Sequence, residues 1–281
     1  MKIVITGANG QLGQELVQQL QQTSFTIYAF TKNDLDITDT ENVQKVIGEI
    51  QPHVIINAAA YTKVDLAETE EELAFIVNGF AQRNLAVAAE KVGAKICYVS
   101  TDYVFDGESS TPYGEYETCK PLGVYGKSKY VGEQLTQSLS SKYFIVRTAW
   151  VYGEYGPNFV KTMIKLAEDR NEIGVVHDQV GSPTYTVDLA EFIIKLIQTD
   201  KFGIYHATNS GTCSWYEFAK AIFEGLGLDT KVNPLTSDRF SRPAARPSYS
   251  VLDNMALRVN GFPQLRHWKE GLSTFLNNLK K

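Results

Sequence analysis

With 281 residues, 43% of them hydrophobic, the chain is long enough for a large core in one domain, or in a domain with an attached lobe. A net charge of −5, with 21% charged residues, excludes the basic field expected of a nucleic-acid binder. No run of about 18 apolar residues occurs, so no membrane partner is expected.

The first segment, KIVIT (2–6), reads as a buried strand with no signal-like region ahead of it. TGANGQLG then places Gly7, Gly10 and Gly13 between this strand and a helix over 11–22. Leu12, Leu16, Val17 and Leu20 of that helix have helical spacing. Glycines in this context let the chain turn tightly and bring backbone N–H groups up to a pyrophosphate, which predicts dinucleotide binding. TIYAF (26–30) is the second strand. An NAD-selective site usually has a carboxylate at its end. Here Lys32 stands nearby instead, either to meet a 2′-phosphate or as an ordinary surface lysine. The reading is NADPH, with NADH as the alternative. In LDI (35–37), Asp36 and Ile37 either meet the adenine edge or belong to the turn ahead of the next helix.

TDTE (38–41) has a capping-box pattern and opens a helix to about 50. HVIIN (53–57) is a third strand, followed by a helix over roughly 69–92, and KICYVS (95–100) is a fourth. A helix holding Tyr125 comes next, then the strand YFIVRT (143–148). This alternation predicts an α/β fold: a Rossmann-like, doubly wound parallel sheet with right-handed crossovers and a smaller C-terminal substrate-binding lobe. Beyond Trp150 the pattern loosens. Helices are expected near 157–168, over 186–198 and near 267–279, and strands near 173–176 and over 203–207. SWYE (214–217) is a second capping box, opening a helix to about 224, and a Pro- and Arg-bearing loop spans 238–253. The dinucleotide-binding domain is expected over 1–152, with returning elements at about 172–208. The lobe takes about 153–171 and 209–281 and closes over the strand ends. Cys97, Cys119 and Cys213 are scattered and odd in number, which fits free thiols in a reducing cytoplasm. The histidines have no metal-ligand spacing.

GVYGKSKYVGE (123–133) sets Tyr125 and Lys129 one turn apart on one helix face. The same helix carries Gly126 and Gly132, each costing ~1 kcal/mol against Ala, so something besides helix stability has set these residues. A phenol with a pKa of about 10 is only a modest acid at neutral pH. A lysine one turn on is expected to bring it toward the working range. VSTDYVF (99–105) offers the Ser100 and Thr101 hydroxyls to fix a carbonyl oxygen beside the phenol.

TGANGQLG, NAAAYTKVDLAE (57–68), STDYVFDG (100–107) and YGKSK (125–129), in this order, resemble the motifs of the extended short-chain dehydrogenase/reductase family. STDYVFDG, YGKSKYVGE, RTAWVYG (147–153) and HDQVGSPTYTVDLA (177–190) narrow the resemblance to its dTDP-4-dehydrorhamnose reductases, over nearly the whole chain. The resemblance implies NADPH-dependent reduction of the C4 ketone of a dTDP-deoxysugar. Thr101 would orient the carbonyl and Tyr125 would protonate its oxygen. Lys129 would bond the nicotinamide ribose and lower the Tyr125 pKa. Gly10, Gln11 and Leu12 would line the pyrophosphate. Ala58, Ala59 and Ala60 would leave room for the cofactor. Val64, Asp102, Tyr103 and Trp150 would face the sugar or its nucleotide. Gly126 would keep the space beside the phenol open. At least one of Arg239, Arg242 and Arg246 is a candidate for the diphosphate, since arginine forks suit it.

Two alternatives stand beside this reading. One is another nucleotide-sugar epimerase or reductase of the same superfamily; a dehydratase is disfavoured because Tyr103, not Glu, follows Asp102. The other is a non-catalytic regulatory subunit that resembles the reductase. Some relatives dimerise around magnesium. Glu15 lies near one such position, but only Asp188 and Glu191 stand near the other, so a metal-bridged dimer is doubted and the chain is read as a monomer or homodimer.

Overall fold

A computed structural model describes residues 1–239 and 242–280. The first part of the chain runs β1 (Lys2–Thr6), α1 (Gln11–Leu20), β2 (Thr26–Phe30), α2 (Thr40–Ile50) and β3 (Val54–Asn57). Then come α3 (Val64–Ala67), α4 (Glu71–Phe75), a π-helical turn at Ile76–Phe80, α5 (Ala81–Val92), β4 (Lys95–Thr101), α6 (Val124–Leu139) and β5 (Tyr143–Thr148). The second part adds β6 (Val151–Tyr152), α7 (Phe159–Asp169), β7 (Glu172–Val176), β8 (Val180–Gly181), β9 (Thr184–Tyr185), α8 (Thr186–Ile197) and β10 (Gly203–His206). It closes with β11 (Cys213–Ser214), α9 (Trp215–Leu226), β12 (Lys231–Leu235), α10 (Met255–Val259) and α11 (Trp268–Leu279).

The central sheet has the order β10-β5-β4-β3-β1-β2, and every pairing in it is parallel. Both faces are covered, so its strands are nearly continuous apolar runs. Ile3 and Ile5 point to one face, against Leu12, Leu16 and Leu20 of α1 and Leu189 and Ile193 of α8. Val4 points to the other, against Val43 and Ile47 of α2 and Leu85 of α5. This is the two-residue alternation of a strand. Each such fully buried Leu or Ile contributes about 1.5–3 kcal/mol. The chain leaves β1 for α1 on one side and leaves β3 for α3–α5 on the other. The strand order therefore reverses between β1 and β3, and their C-terminal ends diverge into a crevice.

The lobe has its own core of Tyr152, Phe218, Trp268 and Phe275. Of the segment expected to return to the sheet over 172–208, α8 and β10 do so. β7 pairs instead with β12, and β8 with β11. The physical reason is that β7 reads EIGVV, with its first and third residues exposed, as suits a two-stranded ribbon and not a sheet interior. The expected helix over 69–92 is broken into α4, the π-helical turn and α5. α2 is capped by Asp39, which accepts from the Asn42 N–H at 3.0 Å. Thr38 does not serve as the cap, because its hydroxyl is engaged with Asp36. The Ser214–Glu217 capping box of α9 forms in full. Among the described residues, no helix is long and apolar enough to cross a membrane.

Candidate active site

The crevice opens into a cavity of about 720 Å³ at the C-terminal ends of β1, β3, β4 and β5. At one end stands the glycine loop. Gly7 has φ +70°, and any Cβ there would run into the backbone of Ala58 and Ala59. A Cβ at Gly13 would fall on the Gly7 carbonyl. These two glycines let α1 and the loop after β3 close on the end of β1. Gly10 differs, since a Cβ there would meet only the Gly7 oxygen, at 3.2 Å, and the residue faces the cavity. As N-cap of α1 it offers no side-chain cap, and no acidic residue occupies the first turn. The helix thus presents uncapped N–H groups and its positive end to the cavity, as a bound pyrophosphate requires. These residues fit a dinucleotide. Gln11, Leu12, Ala58, Ala59 and Ala60 line the same cavity, as do Lys32, Asp36 and Ile37, whereas Gly13 is packed behind it. Asp36 Oδ1 accepts from the Thr38 N–H and hydroxyl at 2.9 and 2.7 Å, so its carboxylate is engaged in the turn ahead of α2. Lys32 is the exposed cation at the β2 end of the cavity.

Thr101, Asp102, Tyr103, Tyr125, Lys129 and Trp150 line the same cavity, as does Val64. Thr101 is the last residue of β4 and is followed by a turn of 3-10 helix (Asp102–Val104). Its Oγ1 accepts from the Tyr103 N–H at 3.2 Å and donates to Asp102 Oδ1 at 3.0 Å. α6 begins at Val124, whose N–H is capped by Glu68 Oε1 at 2.9 Å, a contact from the segment after α3. Tyr125 is half-buried and meets Tyr103 edge-to-face, with ring centroids 5.5 Å apart. Gly126 serves a different purpose from the one expected. A Cβ there would fall on the Tyr103 carbonyl and press on Pro121, so the glycine lets α6 close on the turn after β4; the space it spares is backbone space.

The electrostatics also correct an expectation. Lys129 is 2% exposed, and its Nζ donates to the Val99 carbonyl at 2.6 Å above the Tyr98 ring, whose centroid is 4.1 Å away. Burial brings its pKa down to about 7. The Tyr125 pKa is not lowered. Burial first, and then the Asp102 carboxylate, push it up to about 12, with only the Thr101 hydroxyl opposing. Tyr125 is therefore held as a neutral phenol, the proton-bearing form. Asp102 is itself pushed up to about 6 by burial, and its Oδ2 is buried without a hydrogen-bond partner.

Several features carried no clear signal in the sequence. Thr62, Thr148, Gly156 and Pro157 also line the cavity. Asn78, in the π-helical turn, bonds both the N–H and the carbonyl of Tyr61 and the Ser128 hydroxyl behind Tyr125. Its signal, an Asn–Gly pair inside a helical run, is legible only afterwards. None of Arg239, Arg242 and Arg246 lines the cavity. Arg246 forks onto Asp65 of α3 with two 3.0 Å bonds, and Arg242 reaches the same carboxylate at 3.6 Å. The late loop is thereby tied to α3, and Phe240 and Ser241 of that loop lie outside the described residues. Glu15 is buried with its carboxylate on Gln19, Asp188 pairs with Arg266, and Glu191 pairs with Lys195. Among the described residues, no group of three or more His, Cys, Asp or Glu is gathered as a metal site.

The chain matches the family model described as the RmlD substrate binding domain over residues 1–281. It is similar to a solved dTDP-4-dehydrorhamnose reductase from Bacillus anthracis in complex with NADP: 52% identical, 99% of each chain covered, TM-score 0.97. A second, from Clostridium acetobutylicum, is 48% identical, with 100% of each chain covered and a TM-score of 0.99. The spore coat polysaccharide biosynthesis protein SpsK of Bacillus subtilis is 46% identical over 275 residues, 98% of this chain and 96% of the relative. A match from the first residue to the last, on a fold that agrees throughout, makes this chain a member of the RmlD substrate binding domain family.

Proposed function

We propose that the protein is an NADPH-dependent reductase that converts the C4 ketone of dTDP-4-dehydro-L-rhamnose to the alcohol, giving dTDP-L-rhamnose for a cell-surface polysaccharide. The observation that carries this is the meeting of the glycine loop with Thr101, Tyr125 and Lys129 in one cavity. The similarity to solved dTDP-4-dehydrorhamnose reductases, one of them in complex with NADP, supports it. The bound nicotinamide would supply a hydride to the ketone carbon. Gly7, Gly10, Gln11, Leu12 and the three alanines hold the dinucleotide, and Lys32 meets the 2′-phosphate. The Thr101 hydroxyl bonds the ketone oxygen. Tyr125 gives that oxygen its phenolic proton, which its high pKa keeps in place until negative charge develops there. Lys129 donates to the ribose and stabilises the phenolate left behind. Val64, Asp102, Tyr103 and Trp150 form the wall against the sugar. The free thiols fit a reducing cytoplasm.

The test is consumption of reduced nicotinamide by purified protein with dTDP-4-dehydro-L-rhamnose, run in parallel with NADPH and NADH. The reductase reading expects turnover, faster with NADPH. No consumption with either cofactor would leave the regulatory-subunit reading in its place.

A further inference from the structure

One turn beyond Lys129 on α6 lies a charge that the reaction as described does not use. Glu133 is fully buried, and both oxygens of its carboxylate accept hydrogen bonds. Oε1 accepts from the Ser100 hydroxyl at 2.5 Å and from Arg147 Nε at 2.9 Å, while Oε2 accepts from the second Arg147 nitrogen at 2.6 Å. Arg147, on β5, is 2% exposed. Its other bonds go to the Glu115 carbonyl at 3.0 Å and to Cys119 Sγ at 3.2 Å, with His206 Nε2 at 3.3 Å. A buried ion pair is a weak source of stability, because desolvation offsets most of its attraction. A two-bond fork with every remaining donor engaged points to another use.

Two adjacent residues of β4 are tied to α6 here. Val99 takes the Lys129 ammonium, and Ser100 gives its hydroxyl to Glu133. The next residue is Thr101. We infer that the Glu133–Arg147 pair is a positioning device for the catalytic corner: it pins the end of β4 to α6, so that Thr101 and Tyr125 share one carbonyl oxygen, and it sets a negative charge one helical turn from the buried Lys129 ammonium. This rests on the reductase reading for the roles of Thr101 and Tyr125, but the charge on Lys129 is testable without it.

The groups around Lys129 are few. β4 offers Tyr98, and α6 offers Tyr125 and Glu133. The turn after β4 offers Asp102 and Tyr103, which line the same cavity, and β5 offers Arg147 behind Glu133. The π-helical turn contributes only uncharged Asn78. Glu133 is the carboxylate that favours the charged lysine against its burial.

The test uses the full-length protein with [13Cε]lysine, its Lys129 signal assigned from a Lys129→Met variant and titrated by NMR. In parallel, the pH profile of kcat/KM for the nucleotide-sugar is measured at saturating NADPH. Glu133→Gln should move the Lys129 titration, and with it the alkaline limb of the profile, to lower pH by about one unit. Glu133→Asp, which keeps the charge, should restore both. Glu133→Gln strands the Arg147 charge and can fail to fold. Glu133→Gln/Arg147→Gln leaves no unpaired charge, and should show a smaller shift of the same sign. Ser100→Ala removes the pin alone: kcat should fall about tenfold with the limb unmoved. A Lys129 titration at its wild-type pH in a folded variant lacking the Glu133 charge overturns the inference, as does a wild-type kcat in Ser100→Ala. Absence of turnover in the wild-type protein would instead remove the reductase reading, and the NMR titration would still decide the charge.

Discussion

The two ends of the cavity are built on opposite plans. The cofactor end works by missing side chains: Gly7 and Gly13 allow backbones to close up, and Gly10 with the alanines after β3 leaves room for a ligand held by N–H groups. The catalytic end works by side chains placed against their solvation preference: a buried ammonium, a buried carboxylate with an unpartnered oxygen, and a phenol held neutral. The first plan tolerates change in whatever does not fill space. The second depends on the identity of each group and of its distant partners.

Substitutions sharpen this contrast, and the largest effect is expected at the catalytic end. Tyr125→Phe removes the proposed proton donor while keeping the ring against Tyr103. It should lower kcat by roughly 10²–10⁴ while NADPH binding, followed by nicotinamide fluorescence, stays within about twofold. Next comes Gly10→Leu at the cofactor end. Its Cβ meets no side chain, so the fold should survive with an unchanged melting temperature. Its bulk lies at the proposed pyrophosphate site, and the dissociation constant of NADPH should rise by about a hundredfold, or ~2.7 kcal/mol. If both substitutions damaged folding alike, the contrast would be lost.

How much of this was legible in the sequence follows the same division. The glycine loop is local, with three glycines between one strand and one helix, so spacing alone placed it. Tyr125 and Lys129 are one turn apart on one helix, and they too could be paired by eye. The direction of the Tyr125 pKa is not legible in the sequence, because it depends on burial and on Asp102, which reaches it from a different element. The Glu68 cap on α6, the Asn78 bridge from the π-helical turn to α6 and the Arg147 fork join residues 14–56 positions apart, and no local pattern marks such partners. Arg246 was visible as a charge in a loop, but its partner Asp65, 181 positions away, was not.

Smaller effects test the electrostatics. The Asp102 pKa is raised from 3.8 to about 6 in the folded chain. The folded state therefore holds this proton more tightly than the unfolded one. The resulting stability is present below about pH 4 and lost as pH rises through about 6. Asp102→Asn should remove that slope and raise stability at pH 8 by about 2–3 kcal/mol, read from denaturant midpoints at pH 4.5 and pH 8. An unchanged slope would mean that Asp102 is solvated in the folded protein. Asp65→Asn should do least. Its pair with Arg246 is partly exposed, at 28% and 22%, and stability should fall by less than about 1 kcal/mol. The KM for the nucleotide-sugar should change more than the KM for NADPH, since Asp65 adjoins Val64 on the proposed sugar wall.

The central claim is that hydride passes from a nicotinamide held by the glycine loop to a sugar carbon whose oxygen Tyr125 protonates. The direct measurement is mass spectrometry of the dTDP-sugar product formed with NADPH carrying deuterium at both nicotinamide C4 positions. The product should be one mass unit heavier than that formed with ordinary NADPH, with the label on the sugar C4. A product of unchanged mass, or one labelled only when the solvent is deuterated, would contradict it.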